Sequence, residues 1–199
     1  EYAGRGSRRK ESCITDYDAF LTDVAFYINK RRNNEIPYAI LGYSLGSAVV
    51  FDLLSKHMID GEPLHAFFCA RGCLKYKSFS QEYIDLPEAE FIERVIQLGG
   101  VDKRIFCDKR FSDIYLIPLK ADYRIWSQYR YCETDENLKC NITIFYSEKD
   151  KTCVNPLKWS ELTDGNAAFF EMGENHFFIL QCYERMAHII NDVVTVEVK

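Results

Sequence analysis

The sequence predicts an α/β fold, with a mostly parallel β-sheet, helices on both of its faces and a helical insertion. Three observations lead to this prediction. Short apolar runs alternate with segments of helical periodicity, which is the order expected of a parallel sheet. The runs are apolar at nearly every position, as in strands that are buried on both faces. A long segment without a predicted strand, about residues 78–136, interrupts the alternation.

The elements follow in chain order. The first ten residues are basic and contain glycine, which is typical of a loop. Apolar side chains then recur at helical spacing from Ile14 to about Arg32, and Thr15 or Asp16 is placed to cap this helix. Further apolar patterns predict strands at 38–41, 64–70, 141–146 and 167–170, and helices at 45–58 and 178–193.

The segment of about residues 78–136 is predicted to be a helical lobe between the second and third strands. Helical periodicity covers 88–98 and 111–131 within it. A length of 199 residues fits one domain. We therefore expect a single domain over 1–199 that carries this lobe as an insertion.

Composition and charge exclude several classes of protein. The chain has 25 lysine and arginine residues against 30 aspartate and glutamate residues, a net charge of −5. A nucleic-acid-binding protein with a dominant basic surface is therefore not expected. No apolar run approaches the roughly 18 residues that span a bilayer, and the first ten residues lack the apolar core of a signal peptide.

The eight cysteines contain no Cys-x-x-Cys pair, and the four histidines are not spaced as zinc ligands beside them. A disulfide framework is formally possible because the number is even. A chain of this length builds its core without disulfides, however, so we expect reduced, mostly buried thiols and a cytoplasmic location. No metal ion and no other cofactor is expected.

The segment Gly42–Gly46, Gly-Tyr-Ser-Leu-Gly, fits the pattern Gly-x-Ser-x-Gly between a predicted strand and a predicted helix. In this context the serine sits on a tight, strained turn, and the flanking glycines let strand and helix approach closely. The turn exposes the Ser44 hydroxyl as a nucleophile, and the next backbone N–H, that of Leu45, can face a developing oxyanion. The alternative is a strand–turn–helix junction with an idle serine.

A nucleophilic serine needs a base that is oriented by an acid. His176 lies in a loop after the last predicted strand, at the end of the sheet where catalytic loops gather, and is predicted to be the base. Asp150 follows the strand at 141–146 at the same end and is the predicted acid, with Glu148 as its rival on the same loop. The other histidines lie in helices or at the opposite end of a strand: His57, His65 and His188.

Several segments resemble one family of proteins nearly end to end. They are Gly-Arg-Gly-Ser-Arg at 4–8, the serine motif, Leu-Gly-Gly at 98–100, the stretches at 118–123 and 129–131, and Gly-Glu-Asn-His-Phe-Phe at 173–178. The chain resembles a type II thioesterase of the α/β-hydrolase superfamily, one of the stand-alone editing enzymes of non-ribosomal peptide and polyketide synthesis. It departs from the family at Ala3, where the family has proline, and at Tyr43, where the family usually has histidine. The segment before His176 also carries an extra or substituted polar residue.

The resemblance implies hydrolysis of acyl groups from the phosphopantetheine arm of carrier proteins. The helical lobe would then be a lid over the nucleophile, and Trp126, Tyr129 and Tyr131 are candidates to line the acyl channel. Packing of the lobe is the alternative for each of these rings. Basic residues that could dock an acidic carrier, or form ordinary solvated surface, are Arg5, Arg8, Arg9, Lys10, Arg71, Lys75 and Lys77.

Two other functions remain open from the sequence: a carboxylester hydrolase with the same triad, and a catalytically silent partner protein with the same fold. Members of the family begin with a strand and a glycine-containing loop that supplies a second oxyanion donor. We expect the chain to belong to a polypeptide longer by roughly 30 to 50 residues. Alternatively, another chain covers the edge of the strand at 38–41, because an apolar strand is not left exposed at a sheet edge.

Overall fold

The computed structural model describes residues 1–76, 86–98, 103–106, 108–133 and 136–197. The predicted lobe therefore lies partly outside the described residues, and both glycines of Leu-Gly-Gly and Cys107 lie wholly outside them. The helices and strands of the described chain are α1 (Tyr17–Arg31), β1 (Ala39–Tyr43), α2 (Leu45–Ser55), β2 (His65–Cys69), α3 (Glu88–Gln97), α4 (Lys109–Gln128), β3 (Asn141–Tyr146), β4 (Ala167–Glu171) and α5 (Ile179–Glu197).

The four strands form one sheet in the order β1-β2-β3-β4, and every neighbouring pair is parallel. The predicted α/β class is thereby confirmed. The pairing of β2 aligns Leu41 with Phe67 on one side and Phe67 with Thr143 on the other. β2 is buried along its whole length, whereas β1 lies at an edge and Leu41 is 42% exposed.

Helices cover both faces of the sheet because successive side chains of a strand point to opposite faces. On one face, Phe67 of β2 belongs to a buried cluster that includes Met186 of α5. On the other face, Phe68 stacks on Trp159 with ring centroids 4.2 Å apart, and Trp159 in turn meets Phe51 of α2 edge-on at 6.0 Å. The continuous apolar run of β2 is therefore explained by burial on both sides.

The chain divides into two compact units: Glu1–Val24 with Ser78–Arg130, and Ala25–Lys77 with Tyr131–Lys199. In the first unit, α3 and α4 lie where helical periodicity predicted them. Phe91, Val95 and Leu116 form their buried cluster. In the same unit Asp16 caps α1, since its carboxylate accepts the backbone N–H of Ala19 at 2.9 Å. Of the two residues predicted to cap this helix, Thr15 and Asp16, the structure therefore shows Asp16 as the cap.

Helix α2 ends three residues earlier than the periodicity predicted. His57 takes a left-handed backbone conformation with φ 51°. Its N–H bonds to the Leu54 carbonyl at 3.1 Å, and the N–H of Met58 bonds to the Leu53 carbonyl at 2.8 Å. This paired arrangement closes a helix, and a left-handed histidine in place of glycine conceals the signal in the sequence. At the other end of the chain, α5 runs to Glu197, four residues beyond the prediction.

Among the described residues, no helix is long and apolar enough to cross a membrane. The seven described cysteines are unpaired. Four of them, Cys69, Cys73, Cys140 and Cys153, are buried.

Candidate active site

Ser44 occupies the tight turn between β1 and α2. Its backbone has φ 54° and ψ −112°, a strained conformation for a residue with a side chain. The turn is fixed from behind, because the N–H of Ser44 bonds to the Cys69 carbonyl at 2.8 Å and the Ser47 hydroxyl reaches the carbonyls of Gly42 and Cys69 at 2.9 and 3.0 Å. The strained turn that the serine motif predicted is present.

The two glycines of the motif differ in what they do. A Cβ at Gly42 would overlap the backbone of Gly46 and Ser47, so glycine is required there for the strand and the helix to approach. A Cβ at Gly46 would meet nothing within 4 Å in the described part of the chain. The prediction that both glycines avoid a steric clash is therefore wrong for Gly46. A side chain at that position would point into open space among the described residues.

His176 and Asp150 lie beside Ser44 in the order that acyl transfer requires. The Nε2 atom of His176 is 2.9 Å from the Ser44 hydroxyl oxygen. Its Nδ1 atom is 2.7 Å from the Oδ2 atom of Asp150. A carboxylate only accepts hydrogen bonds, so Nδ1 carries the imidazole proton and Nε2 is left to accept the proton of Ser44. The structure brings together the three residues that the sequence singled out.

Asp150 is buried and held by a residue that the sequence analysis missed. Its Oδ1 atom accepts hydrogen bonds from the backbone N–H and the hydroxyl of Thr152, at 2.9 and 2.7 Å. Burial would raise the pKa of Asp150, but the hydrogen bonds from His176 and Thr152 outweigh it and lower that pKa. Asp150 is therefore ionised at neutral pH. Its rival Glu148 is exposed.

The loop that carries His176 is also tied to the serine motif. The hydroxyl of Tyr43 donates a hydrogen bond to the His176 carbonyl at 2.7 Å. The N–H of Ile179, at the start of α5, approaches the same hydroxyl at 3.4 Å. Tyr43 was noticed in the sequence only as a departure from the family pattern. Its contact joins the end of β1 to the His176 loop, 133 residues apart in the chain.

A second missed residue touches the serine directly. The Nη2 atom of Arg71 is 2.8 Å from the Ser44 hydroxyl oxygen, and its Nε atom is 3.2 Å from the Ser44 carbonyl. The sequence analysis placed Arg71 among surface residues that could dock a partner. The structure instead places its guanidinium at the serine, which is 27 residues away in sequence.

The buried thiol of Cys153, which feels the charge of Asp150, is not a competing nucleophile. Burial raises the pKa of Cys153 to about 12, and the neighbouring carboxylate of Asp150 adds to the effect. A thiol with such a pKa carries almost no thiolate at neutral pH. Ser44, which has the base His176 within hydrogen-bonding distance, is therefore the nucleophile that this site can activate.

The remaining predicted site residues lie as follows. Leu45 is the first residue of α2, so its N–H lacks an acceptor within the helix. Trp126 and Tyr129 stack with ring centroids 5.4 Å apart inside the first unit, where Tyr129 is fully buried. Tyr131, in the second unit, packs against Phe51 at 6.0 Å. The packing alternative therefore describes what these rings do in this structure.

In the described part of the chain, three of the seven basic residues considered for docking are paired with carboxylates. Arg5 forms a bidentate salt bridge with Asp122, with N···O distances of 2.7 and 2.9 Å. Arg8 reaches two carboxylates, and Lys75 lies 3.7 and 3.9 Å from two others. These contacts neutralise much of the local positive charge and favour an ion-paired surface. Lys77 lies outside the described residues.

Comparison with known proteins gives a consistent result. A family model described as a thioesterase domain matches residues 1–195. The gramicidin S biosynthesis protein GrsT of Aneurinibacillus migulanus is 29% identical over 182 residues, which cover 89% of this chain and 70% of GrsT.

Two solved structures superpose closely. ClbQ from the colibactin NRPS/PKS pathway matches with a TM-score of 0.89 and 26% identity, over 99% of this chain and 84% of ClbQ. The type II thioesterase BorB from the borrelidin biosynthetic cluster matches with a TM-score of 0.83 and 25% identity, over 97% of this chain and 79% of BorB. The resemblance to type II thioesterases is confirmed, and with it the α/β-hydrolase fold. The chain therefore belongs to the thioesterase domain family and is an enzyme that hydrolyses thioesters.

Proposed function

We propose that this enzyme releases acyl groups from the phosphopantetheine arm of a carrier protein in non-ribosomal peptide or polyketide synthesis. The observation that carries the proposal is the continuous hydrogen-bonded relay from Ser44 through His176 to Asp150. The similarity to ClbQ, which comes from the colibactin NRPS/PKS pathway, supports this class of substrate. The similarity to GrsT of gramicidin S biosynthesis and to the type II thioesterase BorB agrees with it. A cytoplasmic location stays a prediction from the sequence.

In the first half of the proposed reaction, the Ser44 oxygen attacks the thioester carbon while His176 Nε2 takes the hydroxyl proton. Asp150 keeps the imidazole oriented and stabilises its positive charge. The N–H of Leu45 donates to the oxyanion of the tetrahedral intermediate. Collapse of the intermediate breaks the carbon–sulfur bond, and His176 returns the proton to the departing thiol. The acyl group is left as an ester on Ser44.

In the second half, a water molecule attacks the Ser44 ester and His176 Nε2 takes one of its protons. Collapse of the new tetrahedral intermediate breaks the bond between the acyl carbon and the serine oxygen. The proton then passes from His176 to that oxygen, which restores the hydroxyl and releases a carboxylic acid. Each residue thus ends in its starting state, as a catalyst must.

The helical segment of about 78–136 is part of the proposal as a lid that closes over the acyl group. Trp126, Tyr129 and Tyr131 are the aromatic residues proposed to line the acyl channel. Because Tyr129 is fully buried, contact with an acyl chain would first require its ring to become accessible, as in other gated enzymes.

One comparison of substrates tests this function. We expect faster turnover of an acyl-pantetheinyl carrier protein than of a p-nitrophenyl ester of equal acyl length, with Ser44→Ala inactive on both. Faster turnover of the free ester would favour a carboxylester hydrolase. Lack of turnover of either substrate by the correctly folded protein would favour a catalytically silent partner protein.

A further inference from the structure

Among the described residues, the oxygen of Ser44 has two close partners of different character. His176 Nε2 lies 2.9 Å from it and Arg71 Nη2 lies 2.8 Å from it. A guanidinium is always charged and can only donate hydrogen bonds. Arg71 therefore donates to the serine oxygen, and the hydroxyl proton is directed to His176. Arg71 and His176 thus give the Ser44 hydroxyl one donor and one acceptor.

Arg71 is held too firmly to be an adventitious surface contact. Its Nε atom donates to the Ser44 carbonyl at 3.2 Å, so the guanidinium binds both the hydroxyl and the carbonyl of Ser44. Its own carbonyl accepts the indole N–H of Trp159 at 2.9 Å, and Trp159 is fully buried. The N–H of Ala70 bonds to the Phe145 carbonyl at 2.9 Å.

The residues on both sides of Arg71 restrict its loop further. Ala70 has a left-handed backbone with φ 51°, a conformation that costs energy for a residue with a side chain. A Cβ at Gly72 would overlap the backbone of Val154. Arg71 is thus presented by a loop with little freedom, which is the requirement for electrostatic stabilisation without reorganisation.

We propose that Arg71 is a catalytic residue that stabilises negative charge on the Ser44 oxygen; this rests on Ser44 being the nucleophile of the proposed function. As His176 removes the hydroxyl proton, negative charge develops on the serine oxygen and the hydrogen bond from Arg71 strengthens, until formation of the carbon–oxygen bond passes that charge on to the carbonyl oxygen. In the second half-reaction the same oxygen is the leaving group, and Arg71 stabilises the charge that returns to it. Arg71 remains protonated throughout, so the proton balance of the reaction is unchanged.

The proposal gives Arg71 a role distinct from that of Leu45. The N–H of Leu45 is proposed to serve the oxygen of the substrate carbonyl, whereas Arg71 serves the oxygen of the enzyme. Loss of Arg71 is therefore expected to slow every reaction that begins with attack by Ser44, whatever the electrophile. This includes reagents with no pantetheine arm, which separates the role from binding of the carrier protein.

The test is the second-order rate at which phenylmethanesulfonyl fluoride sulfonylates Ser44, measured by intact mass and peptide mapping. In Arg71→Met we expect this rate and the kcat for an acyl-pantetheine thioester to fall together by about 10²- to 10³-fold, as on loss of one oriented donor. Arg71→Lys keeps the charge but loses the bidentate contact with Ser44, so an intermediate loss is expected. The control Arg185→Met removes an exposed arginine and is expected to react as the wild type.

A structural role for Arg71 would give a different pattern. If the methionine variant folds with the wild-type melting temperature and is sulfonylated within about threefold of the wild-type rate, the proposal is wrong. If the variant is unstable, Arg71→Ala with added ethylguanidinium decides: recovery of the sulfonylation rate supports the proposal, and its absence contradicts it. Sulfonylation of wild-type Ser44 without carrier-protein turnover would refute the proposed function and leave this assignment standing.

Discussion

The relay at Ser44 depends on side chains that do not themselves exchange protons. Thr152 occupies one oxygen of Asp150 and leaves the other for His176. Tyr43 fixes the backbone of the histidine through its carbonyl. Ser44, Asp150 and His176 were predictable because each belongs to a recognisable motif or follows a strand at the expected end. Tyr43 acts through a contact 133 residues away in the chain, which a single sequence does not reveal. Thr152 lies only two residues after Asp150, but an isolated threonine on a loop gives no signal of its role.

Asp150 and Glu148 form a natural pair of test and control, since they share a loop and differ in burial. Asp150→Asn is expected to lower kcat by about 10⁴-fold, because the amide would hold the imidazole in the wrong tautomer. Glu148→Gln is expected to leave kcat within about twofold, because Glu148 is exposed. Steady-state kinetics of both variants check this. A larger loss in the Glu148 variant would reverse the assignment of the acid.

Tyr43→Phe removes one hydroxyl and keeps the ring that packs beside Phe178. We expect the free energy of unfolding to fall by about 1 kcal/mol, the usual value of one hydrogen bond, and kcat to fall severalfold because the His176 loop loses its anchor. Tyr183→Phe is the control, since the Tyr183 ring is 59% exposed. Urea unfolding and kinetics measure both effects. Equal behaviour of the two variants would contradict a positioning role for Tyr43.

The turn between β1 and α2 shows what a motif does and does not specify about an element. Gly42 is required by a backbone contact, whereas Gly46 faces open space among the described residues. The sequence motif contains both glycines and cannot distinguish them. The end of α2 is a similar case, because left-handed His57 replaces the glycine that usually marks such an end.

Alanine substitution at the two glycines therefore has opposite expected effects on stability. Gly42→Ala forces strand and helix apart and is expected to destabilise the protein by about 3 kcal/mol or more, as overpacking does. Gly46→Ala lies in a helix and is expected to stabilise it by up to about 1 kcal/mol, since alanine favours helix more than glycine. Thermal or urea unfolding of the two variants gives the comparison. A destabilised Gly46→Ala variant would show that the open space is not present in the folded protein.

At the scale of the whole molecule, the parallel sheet was predictable and the division of the chain was not. Alternating strands and helices favour a parallel sheet with sequential neighbours, and the observed order β1-β2-β3-β4 follows that rule. The grouping of the first 24 residues with α3 and α4 depends on distant pairs. Arg5 meets Asp122 across 117 residues, and Tyr17 meets Gln128 across 111. No local sequence pattern predicts contacts between residues so far apart in the chain.

The stability of the whole protein is expected to depend on pH through Asp150. Its pKa is lower in the folded state than its ordinary value, so the ionised carboxylate stabilises the fold above that ordinary value of about 4. This contribution is lost as the pH falls through the folded-state pKa. The difference in unfolding free energy between the wild type and Asp150→Asn should therefore shrink from pH 7 to pH 3. A constant or growing difference would contradict the lowered pKa.

Capture of the acyl group on Ser44 tests its role as the nucleophile most directly. The protein is mixed with an acyl-pantetheine thioester, quenched in acid and analysed by peptide mapping, while a thiol reagent follows release of pantetheine. We expect the acyl mass on the peptide that contains Ser44, and a loss of thiol release on the order of 10⁶-fold in Ser44→Ala. An acyl adduct on another residue, or a Ser44→Ala variant that keeps more than about 5% of the wild-type rate, would contradict the central claim.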